Sequence, residues 1–338
     1  MKKHINVPIF IPHVGCPNDC VFCNQRKISG KINFEKTSVH EELAHAFSTV
    51  DGTVPAQIAY FGGSFTGIDR REMVELLEIA NAYIDCGKCD SIRISTRPDY
   101  INREILDILR SYRVSAVELG IQSTDEAVLS VCRRGHTKED SFRASYLIKE
   151  YGMEFIGQMM VGLPNGTEEN ERQTAEDICN MGADGARIYP TVVFEETALA
   201  ELTREGEYLP LTTETSVLRA ANALSVFIEH DVPVIRIGLQ SGEALEQGIG
   251  VVAGGYHPAV GELAYARCFR HLLESELLRL DAVGKFAVVQ AHPSDVSKVI
   301  GQRGENRNYL INMFSLKGFR VLPDGKAVKN HPTIFTLQ

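Results

Sequence analysis

VPIFIPHVGCPNDCVFCN, residues Val7 to Asn24, passes from an apolar stretch directly into three cysteines, Cys16, Cys20 and Cys23, at the spacing C-x3-C-x2-C. Val7–His13 reads as a strand, so the cysteines lie on the loop that leaves its C-terminal end. Three thiolates within eight residues can hold three irons of a four-iron cluster and leave the fourth iron without a protein ligand. Such an iron is open to chemistry. Zinc is the alternative reading, because clustered cysteines also build closed structural sites and His13 is near enough in sequence to complete a tetrahedron.

Outward from this loop, short apolar runs alternate with longer amphipathic ones. The strand candidates are Val7–His13, Gln57–Gly62, Ser91–Thr96, Ala116–Ile121, Phe155–Leu163 and Gly185–Val193. Helical periodicity occupies Ser38–Ser48, Arg70–Ile84, Arg103–Tyr112, Thr137–Tyr151 and Glu168–Met181. Strands this rich in apolar and β-branched residues are covered on both faces, and strand–helix alternation implies a parallel sheet with right-handed crossovers. The expected fold is α/β, a partial (β/α)6 TIM-like barrel. A further apolar run, Val232–Leu239, and two helical stretches, Glu214–His230 and Gly261–Leu280, carry the barrel region to residue 280. A small α+β domain is expected over 281–338. In such barrels functional residues collect at the C-terminal ends of strands, where the cysteine loop falls.

Four more motifs occupy equivalent places. The second strand runs into FGGSFTG, Phe61–Gly67, whose paired glycines allow close approach of the backbone to a ligand. The third ends in STRPDY, Ser95–Tyr100; the fourth in ELGIQS, Glu118–Ser123, with RRGHT, Arg133–Thr137, beyond it; the fifth in QMMVGLPNGT, Gln158–Thr167. Taken in order, they resemble the radical S-adenosylmethionine superfamily, and within it the group containing oxygen-independent coproporphyrinogen oxidase and the catalytic subunit of elongator. The resemblance runs from roughly Val7 to Gly261 and is strongest to the elongator subunit in ARIYPTVVFEETAL, Ala186–Leu199, and GGYHPAVGELA, Gly254–Ala264.

This resemblance implies an enzyme, an oxidoreductase or transferase, with a [4Fe-4S] cluster on Cys16, Cys20 and Cys23 and S-adenosyl-L-methionine on the open iron. An external electron donor of flavodoxin or ferredoxin type would reduce the cluster, and a 5′-deoxyadenosyl radical would take hydrogen from the substrate. Matched residue by residue, Gly62, Gly63 and Ser64 receive the methionine amino group, Phe22 lies near the adenine, and Gln122 and Arg134 contact the cofactor. Ser95 stands where these relatives carry a glutamate, and Gln158 where they carry an aspartate. The elongator subunit spaces its first two cysteines further apart and carries an acetyltransferase domain. The 58 residues after Leu280 are fewer than that domain needs, so an acetyl-coenzyme A reaction is not expected.

Composition is that of a globular protein, 44% hydrophobic and 23% charged. No segment approaches the ~20 apolar residues of a membrane span, and scattered cysteines without a disulfide pattern suit the cytoplasm. The CGKC pair, Cys86 and Cys89, is either redox-active or an ordinary helix end. A net charge of −9 argues against indiscriminate binding of nucleic acid, but residues 281–338 carry eight Lys/Arg against four Asp/Glu. Within this basic tail, Gly301-Gln302-Arg303-Gly304 lies between two helix-like stretches, with β-like runs at Phe286–Ala291 and Phe319–Leu322. It resembles a KH core, whose GxxG loop approaches the backbone of about four single-stranded nucleotides; the plain alternative is a connector with glycine caps. The expected substrate is therefore an RNA base, most naturally in tRNA. Alternatives are a small molecule such as a porphyrinogen, or an RNA-binding protein with a structural metal.

Overall fold

The apolar runs do form strands, and their partners are parallel. The computed structural model describes residues 5–16, 20–25, 34–50, 54–240 and 243–337; residues 17–19 of the cysteine loop lie outside it. The first half runs β1 (Ile5–Phe10), α1 (Ser38–Thr49), β2 (Ala56–Phe61), α2 (Arg70–Asp85), β3 (Ser91–Thr96), α3 (Arg103–Ser111), β4 (Val114–Gln122), α4 (Glu126–Val131), α5 (Lys138–Glu150), β5 (Glu154–Val161), α6 (Glu168–Asn180) and β6 (Gly185–Pro190). Then follow β7 (Val192–Phe194), α7 (Ala198–Glu205), α8 (Thr213–Glu229), β8 (Val234–Ile237), α9 (Glu243–Glu246), β9 (Val251–Gly254) and α10 (Val260–Arg279).

Strands β1 to β6 and β8 form one parallel sheet in the order β1-β2-β3-β4-β5-β6-β8, an open half-barrel. The apolar face of each helix covers its outside: α2 buries Met73, Leu76, Leu77 and Ala80, and α3 buries Ile105, Leu106 and Leu109. Helix starts follow from local chemistry. Asp69 accepts from the Arg71 and Glu72 N–H groups, Asn102 from that of Ile105, and Thr137 and Thr167 each complete a capping box.

Three local features differ from the sequence expectation. The run Gly185–Val193 is not one strand: the Thr191 N–H and hydroxyl both donate to Val161 O, at 2.9 and 2.8 Å, and the chain turns there. β7 thus leaves the barrel sheet and pairs antiparallel with β9. The apolar run at Val232–Leu239 supplies β8, which extends the six-strand core to seven. Helices α4 and α7 are too short for a clear periodic signal. The loop after β5 is clamped from behind by a buried ion pair. Arg219 on α8 meets Glu171 on α6 in two bonds of 2.7 and 2.6 Å, while Glu171 accepts from Gly162 N–H and Arg219 donates to Gly166 O.

The tail comprises β10 (Phe286–Ala291), α11 (Val296–Ile300), α12 (Glu305–Phe314), β11 (Gly318–Pro323) and β12 (Thr333–Leu337). β10 is central, parallel to β11 and antiparallel to β12. Its core is a separate apolar cluster, Ala287, Val289, Val299, Leu310 and Phe314 among others, closed by Phe269, Leu273 and Leu277 of α10. Helix α10 therefore belongs to both packing units, since its Ala264 and Cys268 lie in the barrel core. No helix among the described residues is long and apolar enough to cross a membrane.

Candidate active site

The loops after β1 and β2 are zipped together by main-chain bonds: Ile11 N–H to Phe61 O, His13 N–H to Gly62 O and Ser64 N–H to Val14 O, at 2.8, 3.1 and 3.0 Å. The glycines make this contact sterically feasible. A Cβ on Gly63 would stand 2.4 Å from Val14 O and 2.6 Å from Ile11 O, and one on Gly15 would stand 2.2 Å from Ser64 O. The FGGSFTG turn is thus first a bed for the cysteine loop. His13 does not serve as a metal ligand through Nε2, because that atom accepts the Gln25 N–H at 2.9 Å. Among the described residues, no three His, Cys, Asp or Glu side chains converge on one point as a single ion requires.

At the C-terminal ends of the strands lies a cavity of about 260 Å3. Cys16, Cys20, Cys23, Phe22, Gly62, Gly63, Ser95, Gln122, Arg134 and Gln158 all line it, so residues scattered over β1 to β5 converge as the motifs suggested. Ser64 does not. It is fully buried behind the wall, its hydroxyl bonded to Thr96 Oγ1 at 3.0 Å and accepting the Arg97 N–H at 3.3 Å. The Ser64 side chain braces β3 instead of facing a ligand. Cys86 and Cys89 are also elsewhere: Cys86 ends α2 at the surface, and Cys89 is buried in the outer core, its thiol pushed up to about 11 chiefly by burial.

Two observations test whether the cavity fits the expected groups. The first is the sulfur set. Burial pushes the Cys23 thiol up to about 12, with repulsion from Cys20 and Cys16 added, so cationic iron is what would hold these sulfurs as thiolates. Arg134 helps, its Nη1 lying 3.2 Å from Cys20 Sγ while Nη2 donates to Gly120 O. The second is Gln122. It sits at a register shift between β4 and β5 with φ of +68°, and its buried Oε1 has no hydrogen-bond partner among the described residues. A strained residue with an unsatisfied acceptor at a cavity wall is suited to a ligand hydroxyl. Nearby His136 is buried, and burial first, then Arg134 and Arg97, pushes its imidazole down to about 3; it stays neutral beside them.

Of the far wall, only Gln158 was anticipated. Register places Glu118 of β4, Gln158 of β5, Arg187 of β6 and Arg236 of β8 along the inner face. Glu118 is fully buried and accepts from Arg93 at 3.3 Å, Arg187 at 2.9 Å and the Gln158 amide at 2.6 Å. Arg93 also meets Glu154 at 3.1 Å. The signal for this row was present as single charges inside apolar runs, AVELGI, GARIYP and VIRIG. In strands buried on both faces no alternation says which side a residue takes.

A parallel half-barrel with three loop cysteines facing a cavity at its strand ends suits an enzyme class built around a cluster with an open iron. The radical SAM superfamily model matches residues 10–178, and the radical SAM C-terminal domain model matches 183–269. The chain belongs to the radical SAM superfamily, whose enzymes use a [4Fe-4S] cluster and S-adenosyl-L-methionine. It is 28% identical over 268 residues to a tRNA uridine(34) acetyltransferase of Methanocaldococcus jannaschii, covering 72% of this chain and 47% of that protein. It is 31% identical over 172 residues to elongator complex protein 3 of Homo sapiens, covering 47% of this chain and 31% of that one. It thus spans less than half the length of either relative. The fold is shared with the archaeal Methanocaldococcus infernus Elp3 lacking residues 1–46, at a TM-score of 0.63 and 21% identity over 82% of this chain and 64% of that one.

Proposed function

We propose that this radical SAM enzyme acts on a base of tRNA. When bound, the cluster and S-adenosyl-L-methionine supply reductive, hydrogen-abstracting radical chemistry, fed by an external donor of flavodoxin or ferredoxin type. In this reading Cys16, Cys20 and Cys23 hold the cluster. Gln122 Oε1 accepts from the ribose hydroxyls, Arg134 pairs with the cofactor carboxylate, and Phe22 packs by the adenine. Gly62 offers main chain, and Ser95 and Gln158 line the remaining wall.

The observation that carries the RNA reading is the turn at residues 301–304. Gly301 and Gly304 take φ of +76° and +78° and are buried, whereas Gln302 and Arg303 project as exposed residues at the start of α12. A Cβ on Gly301 would stand 2.8 Å from the Asn306 nitrogen. The turn thus presents the Arg303 guanidinium, which has no carboxylate partner among the described residues, flanked by exposed Arg307, which suits a phosphate backbone. We assign residues 281–338 with the end of α10 to a KH-like RNA-holding unit, and the rest to the barrel. The tRNA named for the M. jannaschii relative supports the same substrate class.

The test has two arms. Fluorescence anisotropy with tRNA at several salt concentrations should give salt-dependent binding, with Arg303→Ala weakening it and lowering the salt slope by about 1. Mass spectrometry of tRNA nucleosides from cells with and without the gene should show one modified base missing. Unchanged nucleosides together with salt-independent or absent binding would remove the tRNA reading and favour a small substrate.

A further inference from the structure

Charge on the inner wall is not balanced. Arg93, Glu118, Glu154 and Arg187 form a chain of two cations and two anions, joined at 2.9 to 3.3 Å. Arg236, the next residue along the row, faces Arg187 across the β6–β8 pairing and has no carboxylate partner among the described residues. Arg187 is 9% exposed, and its buried Nε–H has no hydrogen-bond partner among the described residues. Tyr189, two residues along the same strand, lines the cavity beside both guanidiniums. The surrounding wall is apolar: Phe61, Phe194 and Leu239. Arg236, partly buried on this wall without a carboxylate partner among the described residues, leaves a surplus cation that an anion entering the cavity would neutralise.

In the proposed reading the cofactor carboxylate would have its own arginine elsewhere: Arg134 comes from the segment after α4 and lies beside Cys20, on the cysteine side of the cavity. Arg187 and Arg236 stand on β6 and β8, at the opposite edge of the sheet from the β1 loop that bears the cysteines.

We propose that Arg187, Tyr189 and Arg236 form a subsite for an anionic group of the substrate, a carboxylate or a phosphate, held on the far wall from the cluster. The subsite presupposes that the cavity is the reaction site. Two guanidiniums with a phenol hydroxyl close by suit two or three anionic oxygens. The group so held would fix which carbon of the substrate is presented to the cofactor.

The test uses the full chain, reconstituted anaerobically with iron and sulfide. Titration calorimetry with inorganic phosphate and, separately, acetate should show binding of at least one; which one binds tells a phosphate subsite from a carboxylate one. Arg236→Gln should weaken that binding by about tenfold or more, Arg236→Lys should retain much of it, and affinity for S-adenosyl-L-methionine by equilibrium dialysis should stay within about twofold. In the wild-type protein, the binding anion should also shield Arg236 from phenylglyoxal, read by peptide mass spectrometry, which needs no variant to fold. Binding of neither anion, or no shielding, would overturn the subsite. So would a parallel loss of S-adenosyl-L-methionine affinity in Arg236→Gln, which would give the anion to the cofactor. Cofactor affinity of the wild-type protein reports on the reaction site itself and is read independently of the anions.

Discussion

Two glycine turns in this chain use the same residue for opposite ends. In FGGSFTG, the missing side chains let two loops touch backbone to backbone, with Val14 O and Ile11 O where a Gly63 Cβ would be. In GQRG, Gly304 has nothing closer than 3.7 Å to a would-be Cβ; its φ of +78° is what calls for glycine. The first turn is a packing device inside the catalytic unit. At Gly304 the second is a conformational device in a turn that lifts Gln302 and Arg303 into solvent, though at Gly301 it too is packed against the Asn306 backbone. A GG or GxxG string does not by itself tell these apart.

Alanine at each position separates them. Gly63→Ala should have the larger effect, about 3 kcal/mol, the upper end for overpacking, because carbonyl oxygens of a zipped loop cannot step aside. Iron content after reconstitution should fall with it, as the cysteine loop is displaced. Gly304→Ala should cost about 1 to 2 kcal/mol through its left-handed backbone alone and leave iron content unchanged. Equal losses of iron in the two variants would erase the distinction. The smallest effect has the opposite sign. Gln122→Gly removes side-chain strain at φ of +68° and a buried acceptor without a partner, so thermal unfolding should show a gain of about 1 kcal/mol. The same variant should bind S-adenosyl-L-methionine about tenfold more weakly. A loss of stability with unchanged affinity would make Gln122 a structural residue.

Much of the site was legible in sequence because it lies where strands end. Cys16, Cys20, Cys23, Gly62, Ser95 and Gln122 each follow or close a strand, and strand ends share one rim of the barrel; Arg134, after α4, and Gln158, within β5, reach the same cavity. Ser64 misled for a local reason. It has the same sequence address as its neighbours, but backbone bonding to Val14 turns its hydroxyl to Thr96. The break at Thr191 was hidden in an unbroken apolar run, since what splits β6 from β7 is a pair of bonds to Val161, thirty residues away. The row Glu118, Arg187, Arg236 was equally hidden, one charge in each of three strands.

The cysteine spacing, the strand–helix alternation and the glycines at strand ends determined the superfamily and its cofactor class, because each depends on neighbours within a few residues. The tertiary structure alone decided that His13 secures the loop and that Ser64 faces away. It also decided that Arg236 stands on the inner wall without a carboxylate partner among the described residues. These outcomes depend on which groups from distant segments compete for the same hydrogen bonds and charges, and only sheet register brings those groups together.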